Sequence, residues 1–128
     1  MIVAGIGCRA GATAQEIDAA IAAALSSGGL TKDALDLIAT SSAKKAEQGI
    51  LDAASARALR LMLVEQTDLE AVGGRAVTKS GRVQELMGVP SVAECAALAA
   101  AGVASQLVVP RVAVGPATCA LARAGDAT

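Results

Sequence analysis

The chain has 128 residues and is 54% apolar, yet it contains no Phe, Tyr, Trp or His. The absence of His removes the usual imidazole base and any His-centred metal site, and the absence of aromatic rings removes the stacking platform that single-stranded nucleic-acid binders use. Eleven basic residues against twelve acidic ones leave a net charge of −1, which does not favour a polyanion-coating protein.

The length favours one domain over residues 1–128, with a core built from Ala, Val, Leu and Ile. Three cysteines, Cys8, Cys95 and Cys119, form no CxxC pair, and the N-terminal residues lack the pattern of a signal peptide. No apolar run approaches the ~18 residues that a membrane span needs. We therefore expect a cytoplasmic protein with no cofactor, no metal, and neither a nucleic-acid nor a membrane partner.

The first half of the chain alternates strand and helix patterns. An apolar run from Ile2 breaks on glycines, which predicts a strand and a tight loop, and Thr13 with Glu16 forms a capping box that opens a helix over about 13–27. A second strand is expected over 35–39. The next helix is expected from about Glu47, with the apolar face Leu51, Ala54, Ala58 and Leu59. Residues 60–64 form a nearly continuous apolar run, which predicts a third, buried strand.

The second half begins with short elements. A capping box at 67–70 predicts a turn or two of helix, and the basic loop, residues 72–82, is expected to be mobile because it contains several glycines. Residues 83–87 predict a short helix that ends at Gly88, and the capping box Ser91 to Glu94 opens a helix that runs to about Ala101. The last two strand candidates are given by 107–109 before Pro110 and by 112–114 with 117–121, and Gly115-Pro116 is the turn.

This alternation predicts an α/β fold. Strands that alternate with helices indicate a mostly parallel sheet covered on both faces, and the closing hairpin adds an antiparallel strand. We expect a three-layer α/β/α arrangement around a mixed sheet of about five strands.

The loop after the first strand is the main candidate for ligand binding. A strand, a glycine loop and a helix start point backbone N–H groups and a helix dipole at one place, which favours an anion. Gly5-x-Gly7 lacks the third glycine of a dinucleotide fingerprint, and no Gly-Lys-Ser/Thr is present. Either the glycines help to bind an anion, with Arg9 as a bidentate clamp, or they only allow a tight turn and close helix packing.

Three further features have a functional and a structural interpretation. Cys8 could be a nucleophile, although no His can deprotonate it. Lys44 and Glu47 either form a surface ion pair or both face a pocket at the carboxyl end of the second strand. The cations Arg75, Lys79 and Arg82 of the basic loop are either solvated or placed to meet a ligand with many carboxylates. Ser80, Ser91 and Glu94 are sufficiently explained as helix caps. Residue chemistry alone therefore reaches an anion-binding α/β domain.

At these residues the chain resembles the cobalamin-biosynthesis CobE/CbiG C-terminal-domain family over nearly its whole length. The resemblance lies in four blocks in the family's order, with further matches near the end of the chain. The blocks are Gly5-Ile6-Gly7-Cys8-Arg9 with Gly11, Lys44-x-x-Glu47-x-Gly49-Ile50-Leu51, Ser80 to Val83, and Gly88-Val89-Pro90-Ser91-Val92-Ala93-Glu94, followed by Val108 to Arg111 and Thr118. The chain departs from the family in having Ser41-Ser42, Gln48 and Arg111 where an aspartate, a proline and a lysine are usual.

The resemblance implies a substrate class. The family works on corrinoid intermediates, which are large macrocycles rimmed with acetate and propionate carboxylates. A lone domain is similar to the standalone CobE type of the aerobic pathway, so we expect a protein that binds or hands on a corrin-ring precursor of the precorrin or hydrogenobyrinic type. The alternatives are a lactone-opening hydrolase like the cobalt-precorrin-5A enzyme, with Glu47 or Glu94 as general base, and an interaction module for a pathway enzyme.

The predicted ligand-binding residues combine the family blocks with the cationic positions. They are Gly5, Gly7, Cys8, Arg9, Gly11, Lys44, Glu47, Lys79, Ser80, Arg82, Ser91, Glu94, Arg111 and Thr118. The account requires Gly7, Arg9 and Lys44 to lie close together in the folded chain.

Overall fold

A five-stranded mixed sheet forms the centre of the molecule in the computed structural model, which describes residues 1–125. The strands are β1 Ile2–Cys8, β2 Leu35–Ser41, β3 Leu61–Val64, β4 Gln106–Val114 and β5 Ala117–Arg123. Their order across the sheet is β3-β2-β1-β5-β4. β1, β2 and β3 are parallel, and β5 pairs antiparallel with both β1 and β4.

Helices cover both faces of this sheet. The helices are α1 Ala14–Ser27, α2 Gln48–Ala56, α3 Gln66–Ala71, α4 Gly81–Met87 and α5 Val92–Ala101. α1 and α2 enclose one apolar cluster that includes Ile6, Ile21 and Ile50. α3 and α5 enclose the other, in which Leu69 and Leu98 are buried. The predicted three-layer mixed α/β architecture is therefore confirmed.

Short-range signals located most element boundaries. The predicted capping box at α1 is complete, because Thr13 accepts the N–H of Glu16 and Glu16 accepts the N–H of Thr13. α4 ends at Gly88, which has a left-handed φ of 74°, a conformation that favours glycine at a helix C-terminus. α2 begins one residue after Glu47, as the family block and apolar spacing indicated.

Several local predictions were wrong. β3 is an edge strand in which Met62 and Leu63 are exposed, so the apolar run at 60–64 is not a buried strand. Thr67 lies inside α3, whose N-cap is Glu65, so the second capping box does not form. The predicted apolar face of α2 included Leu51, but Leu51 is exposed and Ile50 is the residue buried in the core. The helix also ends before Ala58 and Leu59.

β4 continues through Pro110, where the sequence suggested two separate strand segments. It is an edge strand, and its register with β5 shifts between Leu107 and Val109 and again between Val109 and Val112. Proline lacks an N–H and is tolerated at edges and bulges, which is the position that it takes here. The irregularity leaves Pro110 and Arg111 without register partners in β5.

Gly5 of β1 brings α5 unusually close to the sheet. A Cβ placed on Gly5 would lie 1.9 Å from the carbonyl oxygen of Ala93 in α5. In a core without aromatic rings, such close approach of small residues replaces the area that a large side chain would bury. The contact sets the N-terminus of α5 beside the carboxyl end of β1.

No helix among residues 1–125 is both long enough and apolar enough to cross a membrane.

Candidate functional site

One cleft opens at the carboxyl ends of β1 and β2, next to the β4–β5 turn. Its volume is about 500 Å³. We call it the cationic cleft, and its lining residues are Gly7, Cys8, Arg9, Ala10, Lys44, Arg82, Val83, Leu86, Met87, Val92, Arg111, Ala113, Gly115, Pro116 and Thr118. The required proximity of Gly7, Arg9 and Lys44 is met, since all three line this cleft.

Four cations reach the cleft from four different parts of the fold. Arg9 lies in the loop after β1, Lys44 in the turn after β2, Arg82 in the first turn of α4, and Arg111 in β4. No carboxylate is among the lining residues, and within residues 1–125 the only salt bridge joins Arg57 to Asp18. Like charges that converge on a surface with no carboxylate in its lining favour an anionic ligand.

The remaining wall of the cleft is largely apolar. α4 contributes Val83, Leu86 and Met87, and Leu86 is 70% exposed. Ala113 and Pro116 of the β4–β5 hairpin also line the cleft. The site therefore offers cations and an apolar surface to one ligand, which is the usual composition of a small-molecule pocket.

Most amides of the loop after β1 are not available for the predicted anion cradle. The N–H of Arg9 donates to Pro116 O at 3.0 Å, that of Ala12 to Arg9 O at 3.2 Å, and that of Gly11 to the Glu47 carboxylate at 3.0 Å. These three N–H groups are already engaged inside the protein, so they are not available to a ligand. Gly11 itself has φ +82°, so its glycine is required by backbone conformation.

Lys44 and Glu47 have different surroundings in the structure. Lys44 lines the cleft, whereas Glu47 is not among the lining residues and accepts the N–H of Gly11. They form no salt bridge with each other, so neither of the two predicted arrangements, a surface ion pair or a shared pocket, describes both residues. Glu47 instead ties the loop after β1 to the turn after β2.

Cys8 is a half-buried thiol in the wall of the cleft. Burial raises its pKa, nearby Lys44 lowers it, and Glu47 raises it, with a net increase above the ordinary value. The thiol is therefore protonated at neutral pH and is a poor nucleophile. Cys95 and Cys119 are buried elsewhere, and burial raises the pKa of Cys119 to about 12.

Glu94 is completely buried at the start of α5. One carboxylate oxygen accepts the N–H groups of Val77 at 2.8 Å and Thr78 at 2.9 Å, and the other accepts the Thr78 hydroxyl at 2.6 Å and the N–H of Arg111 at 2.8 Å. Burial alone would raise the pKa of Glu94, but these hydrogen bonds outweigh burial and lower it. A buried, fully engaged carboxylate of lowered pKa does not suit the predicted general base.

The basic loop is anchored rather than free at several points. Besides the bonds to Glu94, the Arg75 guanidinium donates to the backbone oxygen of Ser105. Arg82 faces the cationic cleft, whereas Lys79 and Ser80 line a neighbouring pocket of about 540 Å³ together with Gly73, Gly74 and Glu70. Lys79 and Arg82 of the loop therefore line two different pockets, and Arg75 lines neither, which the sequence did not indicate.

Other predicted ligand residues serve the framework. Gly5 is buried under α5 as described, and Ser91 is buried and accepts the N–H of Glu94 as the N-cap of α5. Ser80 likewise accepts the N–H of Val83 at the start of α4. Thr118 lines the cleft and donates its hydroxyl to the carbonyl oxygen of Gly7 at 3.2 Å.

Sequence reasoning missed the apolar wall and the donors to Glu94. Leu86 and Met87 looked like ordinary positions of a short helix, and Thr78 like a loop residue. The proline within a strand pattern at Pro110 was a signal for the irregularity that frees the Arg111 N–H, because proline interrupts a ladder. The rest depends on contacts between segments distant in the chain.

Residues 2–122 match the family described as cobalamin synthesis G C-terminus. The chain is 35% identical over 127 residues to Protein CobE from a Sinorhizobium species, with 99% of this chain and 81% of that protein covered.

Solved structures of similar proteins share the fold. The crystal structure of CobE, a protein from the cobalamin (vitamin B12) biosynthetic pathway, has a TM-score of 0.90 at 30% identity and covers 96% of this chain and 89% of its own. The cobalamin biosynthesis protein chiG from Agrobacterium tumefaciens has a TM-score of 0.78 at 42% identity, with coverages of 98% and 100%. A putative cobalamin biosynthesis protein G homolog from Sulfolobus solfataricus, 23% identical, shares the fold with a TM-score of 0.74 over 96% of this chain and 36% of its own.

Proposed function

The chain belongs to the cobalamin synthesis G C-terminus family, and we propose that its cationic cleft binds a corrin-ring precursor and hands it on. It is a cobalamin biosynthesis protein of the CobE and CbiG C-terminal type. The proposed ligand is a precorrin or hydrogenobyrinic-type ring of the aerobic pathway. The observation that carries the proposal is the convergence of Arg9, Lys44, Arg82 and Arg111 on one cleft that no carboxylate of the described residues lines.

The chemistry of the cleft suits a flat ring with an acidic rim. Carboxylates at the rim of a corrin precursor can each meet a separate guanidinium or ammonium group, and charge-assisted hydrogen bonds of this kind are the stronger ones in proteins. The apolar ring can lie against Leu86 and Met87 of α4. This pairing of cations with an apolar wall supports a polycarboxylate macrocycle over a simple inorganic anion.

The size of the cleft supports transfer of the ligand. A volume of about 500 Å³ lies within the range of sites for drug-sized molecules. A macrocycle that carries acetate and propionate arms around its whole rim is larger, so the cleft would enclose one side of it. The other side would stay accessible to a partner enzyme of the pathway.

The lactone-opening alternative lacks a suitable base at the cleft. Of the two candidate carboxylates, Glu94 is buried with both oxygens engaged, and Glu47 is bonded to Gly11 outside the lining. Glu94 could not reach a water against a ligand without giving up these bonds, and Glu47 would have to act from outside the residues that line the cleft.

A spectroscopic titration tests the proposal. Purified protein is titrated with a hydrogenobyrinic-type pigment, and the absorption spectrum is followed. A saturable spectral change is expected, and the same pigment with its carboxyl groups esterified should bind much more weakly, because it lacks the anionic rim. An unchanged spectrum at high micromolar pigment, or equal binding of acid and ester, would refute the proposal.

A further inference from the structure

Glu94 makes contacts that exceed the needs of the helix that it begins. A capping box would use its carboxylate to accept the N–H of Ser91, but only the Ser91 half of that box is present. All of its hydrogen bonds instead go to two other segments, residues 77–78 and Arg111. The carboxylate therefore serves the arrangement of these segments.

Both segments lead to cations of the cleft. Val77 and Thr78 are followed by Ser80, which caps α4, and Arg82 lies in the first turn of that helix. The second segment is Arg111 itself, whose N–H bonds Glu94 while the residue lines the cleft. One buried carboxylate is thus a common anchor for two of the four cleft cations.

The fold provides these donors specifically for Glu94. The irregular register of β4 leaves Arg111 without a partner in β5, so its N–H is free of the ladder. The 77–78 segment lies between a short 3-10 turn and α4, where no sheet or helix uses its N–H groups. A buried carboxylate without a cation is costly unless several hydrogen bonds satisfy it, and these donors do so.

We propose that Glu94 is a positioning residue that sets the placement of Arg82 and Arg111 in the cationic cleft. It does not line the cleft and is completely buried, so it acts through these two cations and not on the ligand. This inference rests on the proposed function of the cleft. Lys44 and Arg9 reach the cleft from other elements, and Glu94 does not hold them.

The test compares wild type with Glu94→Gln, which keeps the side-chain shape but turns an NH₂ group toward N–H donors. Both proteins are measured at a temperature at which circular dichroism shows them folded. Binding of a hydrogenobyrinic-type pigment should weaken about tenfold. Arg111→Ala should then cost much less affinity in the Glu94→Gln background than in wild type, whereas Lys44→Ala should cost the same in both.

The comparison of Glu94→Gln, Arg111→Ala and their double variant is a double-mutant cycle, and a role of Glu94 confined to folding gives a different result in it. In that case folded Glu94→Gln binds like wild type, or the cost of Arg111→Ala is unchanged in its background, and either result overturns the inference. Should Glu94→Gln fail to fold, Thr78→Val removes one donor alone, and its cycle with Arg82→Ala replaces the first. Additive effects in that cycle also overturn the inference.

Failure of the proposed function and failure of this inference give different results. If wild type leaves the pigment spectrum unchanged, the proposed function fails and this inference fails with it. If wild type binds the pigment but the effects of the paired variants are additive, only the inference fails.

Discussion

Gly11 donates its backbone N–H to the Glu47 carboxylate at 3.0 Å, across 36 positions of the chain. The contact joins the loop that carries Arg9 to the turn that carries Lys44. Neither cation lies in an α-helix or a strand, so this bond helps to fix the loop of Arg9 relative to the turn of Lys44.

Replacement of Glu47 by Ala should loosen that link. We expect a loss of about 1 kcal/mol in the free energy of unfolding, since a hydrogen bond to a charged acceptor is lost at a partly exposed position. Pigment affinity should fall about threefold because Arg9 and Lys44 move independently. Urea unfolding followed by far-UV circular dichroism measures the first effect, as the chain has no Trp or Tyr for fluorescence. Asp33→Ala, which removes an exposed carboxylate elsewhere, is the control, and equal behaviour of the two variants would contradict the prediction.

Gly5→Ala tests the close approach of α5 to β1. The added methyl carbon would lie 1.9 Å from the carbonyl oxygen of Ala93, which belongs to a helix backbone and cannot yield locally. The free energy of unfolding should fall by at least about 2 kcal/mol. Gly74→Ala is the matched control, because a Cβ there meets nothing within 4 Å, and it should change stability by less than about 1 kcal/mol. A stable Gly5→Ala protein would mean that the helix does not sit this close.

The stability contributed by Glu94 should depend on pH. Its pKa is lowered in the folded state, so the contribution is present above the unfolded-state pKa of about 4.3 and is lost as pH falls through the folded-state value. At pH 7 we expect Glu94→Gln to cost about 1–3 kcal/mol, because it leaves buried donors unsatisfied. Urea unfolding of both proteins between pH 7 and pH 3 should show the difference shrinking below about pH 4.3. A difference that stays constant with pH would contradict the lowered pKa.

Cys8 should be the thiol that reports on the cleft. It is half-buried, whereas Cys95 and Cys119 are buried, so iodoacetamide should modify Cys8 first. Its raised pKa predicts slow modification at pH 7 and a rate that increases as pH rises past its ordinary value of 9.0. Mass spectrometry of the peptides measures the rate, and bound pigment should slow it. Fast modification at pH 7 would indicate an activated thiolate, which the structure does not support.

Local patterns were enough to locate most of the fold. Thr13 with Glu16, Gly88 and Ser91 mark element ends through hydrogen bonds within four residues, so the sequence alone predicts them well. β3 was misjudged because Met62 and Leu63 look the same in a buried strand and in an edge strand. Strand order decides between these two, and it depends on pairings that local sequence does not encode.

The candidate site was predictable only in part. The family blocks and the chemistry of Arg9 and Lys44 pointed to the end of the sheet at which the cationic cleft lies. The roles of Glu47 and Glu94 were not accessible, because their partners Gly11 and Arg111 lie 36 and 17 positions away. The loop amides after β1 were expected to face a ligand, but their acceptors come from other segments and from Arg9, which only the folded chain reveals.

The central claim is that the cations of the cleft hold a polycarboxylate ring. The most direct test is pigment binding by Lys44→Ala beside Lys45→Ala, since Lys45 is the exposed neighbour and does not line the cleft. We predict that Lys44→Ala weakens binding by about 1–3 kcal/mol, that Lys45→Ala changes it little, and that added salt narrows the gap between them. Equal affinities of the two variants at low salt would contradict the account.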